Sequence, residues 1–349
     1  MVMALAEQCL FEFEELEQTV NPKACKLADL STYDKIIVSS SGGKDSEACA
    51  LYLLELGIAK DKIILWHQSI DGSPGSMQFA DWPVTEPYVR AFGEALGIRT
   101  EFQWRENGFI GEILRENQRT NNVQFEHHGN VITLPTRNGK YSTRRKFPAK
   151  AVDLRTRWCT AYLKIDVMKR VLNNHPDFQE GNYLVITGER REESANRARY
   201  LTVEKHPCER NSRKVTWWRS VIEWSEKEVW DILEKYRILP HPAYWLGFSR
   251  TSCFGCIFCT ADQWATVREV SPERFNQLVE MEKELNHTID NKLTLTQLAD
   301  RGRSRLPKNI DAEKWVRLAI DANISPGDIF VDRWDLPTGA FTGAAGGPC

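Results

Sequence analysis

Two groups of residues in this chain have the types and spacing to do chemistry. The first is Ser41-Gly42-Gly43-Lys44-Asp45-Ser46. Paired glycines let an anion approach the backbone with no Cβ in the way. Lys44 adds a point charge, and Ser41 and Ser46 add hydroxyl donors. The second group is Cys253-Phe254-Gly255-Cys256-Ile257-Phe258-Cys259, three thiols close enough in sequence to surround one metal centre. Soft thiolates select zinc or iron–sulfur clusters, and either needs a fourth ligand from elsewhere. Cys159 is the expected fourth, because it opens a helix whose N-terminus favours a thiolate; Cys208 is the reserve. Zinc ribbons usually bring two Cys-x-x-Cys pairs, so an iron–sulfur cluster fits this spacing better, with zinc the alternative.

The elements around the glycines decide what they can hold. Lys35-Ile36-Ile37-Val38 predicts a buried strand, and apolar residues at helical spacing over 47–56, closed by Gly57, predict a helix. Strand, glycine turn and helix together aim unpaired backbone N–H groups and the positive end of a helix dipole at one point, which suits a phosphate. The glycines are adjacent, so this is neither the mononucleotide loop with four residues between them nor the dinucleotide G-x-G-x-x-G. Further strands are expected over 62–67, 99–104 and 182–187, with a helix over 83–96. Strands alternating with helices predict a doubly wound, mostly parallel sheet, in which ligands sit beyond the carboxyl ends of strands. That places His67 and Asp71 beside the loop. Gly188, Glu189, Arg190, Ser194 and Arg197 follow the 182–187 strand as a second donor-rich glycine turn. A salt-bridged solvent helix is the other reading of that turn, since Glu and Arg alternate.

The rest of the chain bounds the class. It has 349 residues, 42% of them apolar and 27% charged, with a net charge of −2. That suits a large α/β unit with a smaller addition, and gives no global attraction to nucleic acid or membrane. No window approaches the roughly 20 apolar residues that span a bilayer. Nine cysteines, an odd number, do not form a secreted disulfide framework; with no secretory signal at the N-terminus, the expected location is the cytoplasm. Residues 137–157 carry Arg137, Lys140, Arg144, Arg145, Lys146, Lys150, Arg155 and Arg157 against Asp153 as the single acid. This long basic loop suits nucleotide phosphates, DNA or another nucleic acid, or an acidic partner. Residues 3–19 are expected to form an amphipathic helix through Leu5, Cys9, Phe11 and Leu16, residues 201–214 a polar, mobile stretch, and 215–222 a strand. Helices are expected over 224–236, 272–288, 294–300 and 312–322, followed by a Gly/Ala-rich tail.

Ser-Gly-Gly-x-Asp-Ser resembles the PP-loop of the adenine-nucleotide α-hydrolase superfamily, the ATP pyrophosphatases. Three further segments narrow the resemblance to the phosphoadenosine-phosphosulfate reductase family of PP-loop proteins. They are Arg157-Trp158-Cys159 with Lys164; Thr187-Gly188-Glu189-Arg190 with Glu193, Ser194 and Arg197; and His241-Pro242-Ala243-Tyr244 through Gly247 and Arg250 to Cys253 and Cys256. Together they span roughly residues 35–260. Reductases of that family carry a Glu-Cys-Gly-Leu-His motif near the C-terminus; this chain has none, and Cys349 is the only stand-in. Family members without the motif include the ATP pyrophosphatases of DNA phosphorothioation systems, which pair the loop with a cysteine-bound [4Fe-4S] cluster and work with a cysteine desulfurase and other sulfur-modification subunits.

The resemblance implies an α/β PP-loop domain over 31–260, after an N-terminal helix within 1–30 and before a helical region over 261–349. It implies an enzyme that converts ATP to AMP and pyrophosphate so that sulfur can replace an oxygen. Ser41, Gly42, Gly43, Lys44 and Ser46 are expected to hold phosphates, and Asp45 to orient the loop or help bind Mg²⁺. Arg190, Ser194 and Arg197 are expected to reach the phosphates from the opposite side. Lys44, Asp45, Ser46 and Arg190 are the expected catalytic groups. The cluster falls to Cys159, Cys253, Cys256 and Cys259. The alternatives are an adenylylsulfate or PAPS reductase using Cys349, and a non-catalytic nucleotide-binding subunit.

Overall fold

The computed structural model describes residues 24–151, 153–309 and 311–343. The expected helix over 3–19, Cys9 and Cys349 lie outside the described residues. Eight strands form one sheet: β1 (Lys35–Ser39), β2 (Ile63–Ser69), β3 (Arg99–Arg105), β4 (Val123–His127), β5 (Asn130–Leu134), β6 (Gly181–Ile186), β7 (Val203–Lys205) and β8 (Arg213–Trp218). Their order is β5-β4-β3-β2-β1-β6-β8-β7. The inner five, β3-β2-β1-β6-β8, pair in parallel, and β4, β5 and β7 add antiparallel edges. The chain winds outward from β1 through β2 to β3, then crosses back to β6 and β8. The order therefore reverses between β1 and β6, where α/β sheets place their ligands.

Alternation along the strands sorts side chains onto two faces. Ile36 and Val38 of β1 join Leu184 and Ile186 of β6 in one core, while Ile37 joins Tyr183 and Val185 in the other. The first core is covered by α1 (Lys44–Glu55), α2 (Thr85–Leu96), α3 (Gly108–Ile113) and helices late in the chain. The second lies under α5 (Asp166–Asn174), which contributes Val167, Val171 and Leu172, while α4 (Trp158–Thr160) and the π-helical turn (Ala161–Ile165) ahead of it send Trp158 and Leu163 into the first core. The C-terminal part supplies α6 (Glu226–Lys235), α7 (Pro242–Trp245), α8 (Ala261–Val270), α9 (Pro272–Leu285), α10 (Leu295–Asp300) and α11 (Ala312–Asp321). Trp264, Phe275, Leu278, Leu295 and Ala319 belong to the same core as Ile36 and Val38. Burying each large side chain stabilises the fold by about 1.5–3 kcal/mol, so these helices help hold the sheet that carries the glycine loop.

The stretch over 201–214, expected to be polar and mobile, holds regular structure. It contains β7 and runs into β8, whose first residue, Arg213, is fully buried. Its guanidinium donates to the carbonyls of Leu172 (2.5 Å), Phe178 (2.8 Å) and Cys208 (2.5 Å), so a charged side chain closes the end of α5. The strand expected over 215–222 is β8 and ends at Trp218.

Candidate active site

Between β1 and α1 the chain turns at Gly42, whose φ of +76° is left-handed and open to glycine at no cost. Gly43 is the N-cap of α1 and offers no side chain to the helix start. The loop is tied by its serines: Ser41 N–H donates to Ser46 Oγ (3.2 Å), and that hydroxyl donates to Gly43 O (2.8 Å). The Lys44 N–H donates to the Tyr244 hydroxyl (3.0 Å), which reaches in from α7. His67, at the carboxyl end of β2, is buried. Its Nδ1 lies 2.8 Å from Ser40 O, and burial pushes its pKa down to about 4. His67 thus steadies the entry to the loop, and its neighbour Gln68 lines the cavity described below. Asp71 accepts the N–H groups of Ala80 (2.9 Å) and Asp81 (2.8 Å) and so staples the 72–80 turn.

The charged residues of the loop form one network. Lys44 Nζ lies 3.3 Å from Asp45 Oδ2 and 3.8 Å from Glu226 Oε1, and 5.7 Å from the ring centres of both Trp230 and Tyr244. Burial opposes the ammonium charge, but Asp45, Tyr244 and Glu226 outweigh it and hold the pKa above the ordinary lysine value. Arg190 Nε donates to Asp45 Oδ1 at 2.5 Å. Burial alone would raise Asp45, but Lys44 and Arg190 hold its carboxyl below the usual range. Each Asp45 oxygen therefore already has a cation, which fits the orienting role and leaves little for a direct Mg²⁺ ligand. Arg190 can reach because Gly188 sits against the helix start: a Cβ there would lie 2.7 Å from Asp45 O. Arg197 pairs with Glu193, and its N–H donates to Ser194 Oγ (3.3 Å).

One cavity of about 600 Å³ connects this loop to the thiols. Ser41, Gln68, Thr187, Glu189 and Arg197 line one part, and Arg157, Lys164, Cys159, Cys253 and Cys256 another. The cysteines among the described residues are all free. Cys159 is the second residue of α4, and Cys259 is buried directly ahead of the Thr260 cap of α8. Burial pushes the Cys253 and Cys259 thiols well up and raises Cys159, so ionising them needs a nearby positive charge. Lys164, on the π-helical turn, supplies one: Cys253 foremost, with Asp81, Cys159 and Cys256, holds its ammonium above the ordinary value despite burial. Phe258 N–H lies 3.5 Å from Cys256 Sγ. Among the described residues no three of these sulfurs lie within 4.8 Å of one another. Tetrahedral zinc, with Zn–S near 2.3 Å, brings its sulfurs to about 3.8 Å. Cys208 sits in the second core, its Sγ 3.9 Å from Lys169 O.

The basic segment divides. Arg155 is exposed and pairs with Asp153, whereas Arg144 turns inward to Glu112 (3.1 Å) and packs 4.7 Å from the Trp158 ring. Arg157 is buried, with Nε and Nη1 unpartnered. Tyr244 stands in the sequence reading only as part of the His241–Tyr244 motif, and Glu226 and Trp230 have no role there; these two lie on α6, behind an ordinary capping box, with nothing local to mark them.

Against known proteins, an uncharacterized protein of Methanocaldococcus jannaschii is 24% identical over 162 residues, covering 46% of this chain and 36% of that protein. The chain thus spans about a third of that relative's length. An uncharacterized 37.8 kDa protein of Escherichia phage 186 is 24% identical over 264 residues, 71% of this chain and 74% of the relative. Two crystal structures of Candida glabrata FMN adenylyltransferase, one with FAD and pyrophosphate and one with FMN and an ATP analogue, align at a TM-score of 0.34. They are 12% and 11% identical, and cover 64% and 63% of this chain and 56% and 54% of theirs. Residues 119–262 match the family model of the phosphoadenosine phosphosulfate reductase domain, a stretch that begins beyond the glycine loop and takes in Gly188, Arg190 and all four thiols of the site.

Proposed function

We propose that this chain is an ATP pyrophosphatase that activates an oxygen for replacement by sulfur. The observation that carries the reading is the shared cavity: Ser41 of the glycine loop and Cys159, Cys253 and Cys256 line the same space. An acceptor oxygen attacks the α-phosphorus of ATP, the bond to the β-phosphate oxygen breaks, and pyrophosphate leaves. The adenylylated oxygen then departs as AMP when sulfur attacks. The chain's contribution is positioning and stabilisation of phosphoryl charge.

In this reading Gly42, Gly43, Lys44 and Ser46 hold the phosphates, with Ser41 at the rim. Arg190, Ser194 and Arg197 meet them from the β6 side. Asp45 aligns Lys44 with Arg190, which accounts for both of its oxygens. Mg²⁺ arriving with the nucleotide would neutralise phosphate charge. Arg157, with two unpartnered nitrogens, gives an anionic acceptor its contact on the thiol side. Cys159, Cys253, Cys256 and Cys259 would hold an iron–sulfur cluster, which when bound would store or relay sulfur or brace the wall. Within the family match the finer assignment is DNA phosphorothioate modification in the cytoplasm, with a cysteine desulfurase as sulfur donor and the exposed part of the 137–157 segment facing DNA. Anaerobic purification with iron and sulfide assays and a visible spectrum, followed by pyrophosphate release from ATP, tests both halves. Stoichiometric zinc in a colourless protein removes the cluster, and ATP consumed without pyrophosphate removes the α–β cleavage.

A further inference from the structure

The β4–β5 hairpin carries a second set of metal-ligating side chains, none of which lines the cavity above. His128 and Gly129 join the strands, both with positive φ (+47° and +76°), in the two-residue turn that matches strand twist. A left-handed histidine is uncommon. Here it brings the His128 ring to 4.2 Å from that of His127, centre to centre. Facing them, the chain leaves α5 through His175 and turns at Pro176–Phe178, presenting Asp177. Asp177 Oδ1 lies 3.7 Å from His127 Nε2, and Oδ2 lies 3.9 Å from His128 Nε2. Nitrogen and oxygen ligands of a tetrahedral zinc ion sit about 3.4 Å apart. One ligand atom from each of His127, His128 and Asp177 lies within 4.8 Å of the others, so chelation needs these side chains to draw together at the surface.

Two carboxylates and Arg99 frame these imidazoles. Glu101 stands behind His127, its Oε1 4.0 Å from Nδ1, and is fixed by Trp66 Nε1–H (2.8 Å) and Arg99 Nε–H (2.8 Å). His127 Nδ1 lies 3.5 Å from Arg99 Nη2, nearer than the Glu101 oxygen, so with Nε2 on an ion Arg99 must draw back towards its carboxylates for Nδ1–H to face Glu101, the outer partner that orients a ligating imidazole. Arg99 also reaches Asp177 Oδ2 (3.2 Å), leaving Oδ1 free to ligate. Arg99 thus bridges both carboxylates. His175 is fully buried and accepts the Asp177 N–H at Nδ1 (3.1 Å). Its Nε2 has no hydrogen-bond partner and points into the same cluster, 3.4 Å from Glu101 Oε2.

We infer that His127, His128 and Asp177 form a site for a zinc-class divalent ion, oriented by Glu101 and completed by solvent. The imidazole–carboxylate set suits zinc, nickel or copper, and a bound ion pins the hairpin at the sheet edge to the turn after α5. Tag-free full-length protein is titrated with Co²⁺, a visible stand-in for Zn²⁺. The expected signal is weak d–d absorption without thiolate-to-cobalt charge transfer in the near ultraviolet. His128→Ala and Asp177→Asn should each weaken binding about tenfold or more, while Cys256→Ser leaves it in place. Zn²⁺ should raise the melting temperature of the parent chain and not of these two variants. Co²⁺ absorption carrying only thiolate bands overturns the assignment, as does an affinity within about twofold of the parent in Asp177→Asn. Asp177 is exposed, and circular dichroism checks that its variant is folded, so the result stands whether or not His128→Ala folds.

Discussion

Lys44 carries a charge that Asp45 and Glu226 share, and it is the group whose removal separates chemistry from folding. Lys44→Ala leaves Asp45 paired with Arg190, so the loop keeps one of its two cation contacts. Pyrophosphate release should fall about 100-fold or more, the scale of losing one preorganised electrostatic group, with circular dichroism unchanged. Release at the parent rate would take Lys44 out of the mechanism. Gly188→Ala tests a contact instead of a charge. Its new Cβ meets the Asp45 carbonyl, which is backbone and cannot swing away. The urea midpoint should show a loss of about 1–3 kcal/mol, as for other overpacked sites. Both residues were legible in the sequence, because a glycine turn after a strand carries its own local signal. Glu226 was not, and Tyr244 was legible only as a motif residue, since what brings them to the loop is contact across roughly 180 and 200 residues of chain.

At the scale of elements, legibility followed periodicity. The β-branched runs of β1 and β2 and the apolar spacing of α1, α2 and α9 announce themselves, and the structure places these elements within a few residues of expectation. The β4–β5 hairpin went unread because its strands are only five residues each and its turn is His128-Gly129 where an Asn-Gly pair would have been recognised. Strand β7 is three residues long and two of them are charged. The thiol wall depends on a cap that the sequence does show: Thr260 and Gln263 form a reciprocal capping box at the start of α8, one residue after Cys259. Thr260→Ala should cost about 1 kcal/mol of stability in a urea titration, the usual value of a lost N-cap. Full stability in that variant would mean the helix start is held by packing alone.

For the molecule as a whole, the sheet and the late helices share one core, and burial inside it sets how stability responds to pH. His67, His206 and His241 are pushed down by burial to about 4, about 4 and about 3. The unfolded chain protonates histidine below about pH 6.5, so each histidine withdraws stability as pH falls from about 6.5 towards 4. Burial moves two carboxyls the other way, Asp71 up to about 6 and Glu86 up to about 7. The folded chain keeps protons there that the unfolded chain gives up near pH 4, so their contribution is full in acid and is lost as pH rises through about 6 to 7. The two trends oppose one another across the acid range, and the carboxyls act alone above about pH 6.5. Glu86→Gln removes one carboxyl while keeping an oxygen to accept the Gly75 N–H, now 3.2 Å from Glu86 Oε2. The variant should therefore gain more stability than the parent between about pH 5 and pH 7, read from urea midpoints at both pH values. Parallel pH dependences would show that Glu86 ionises in the folded chain at its ordinary value and that the interior around α2 is wetter than its packing implies.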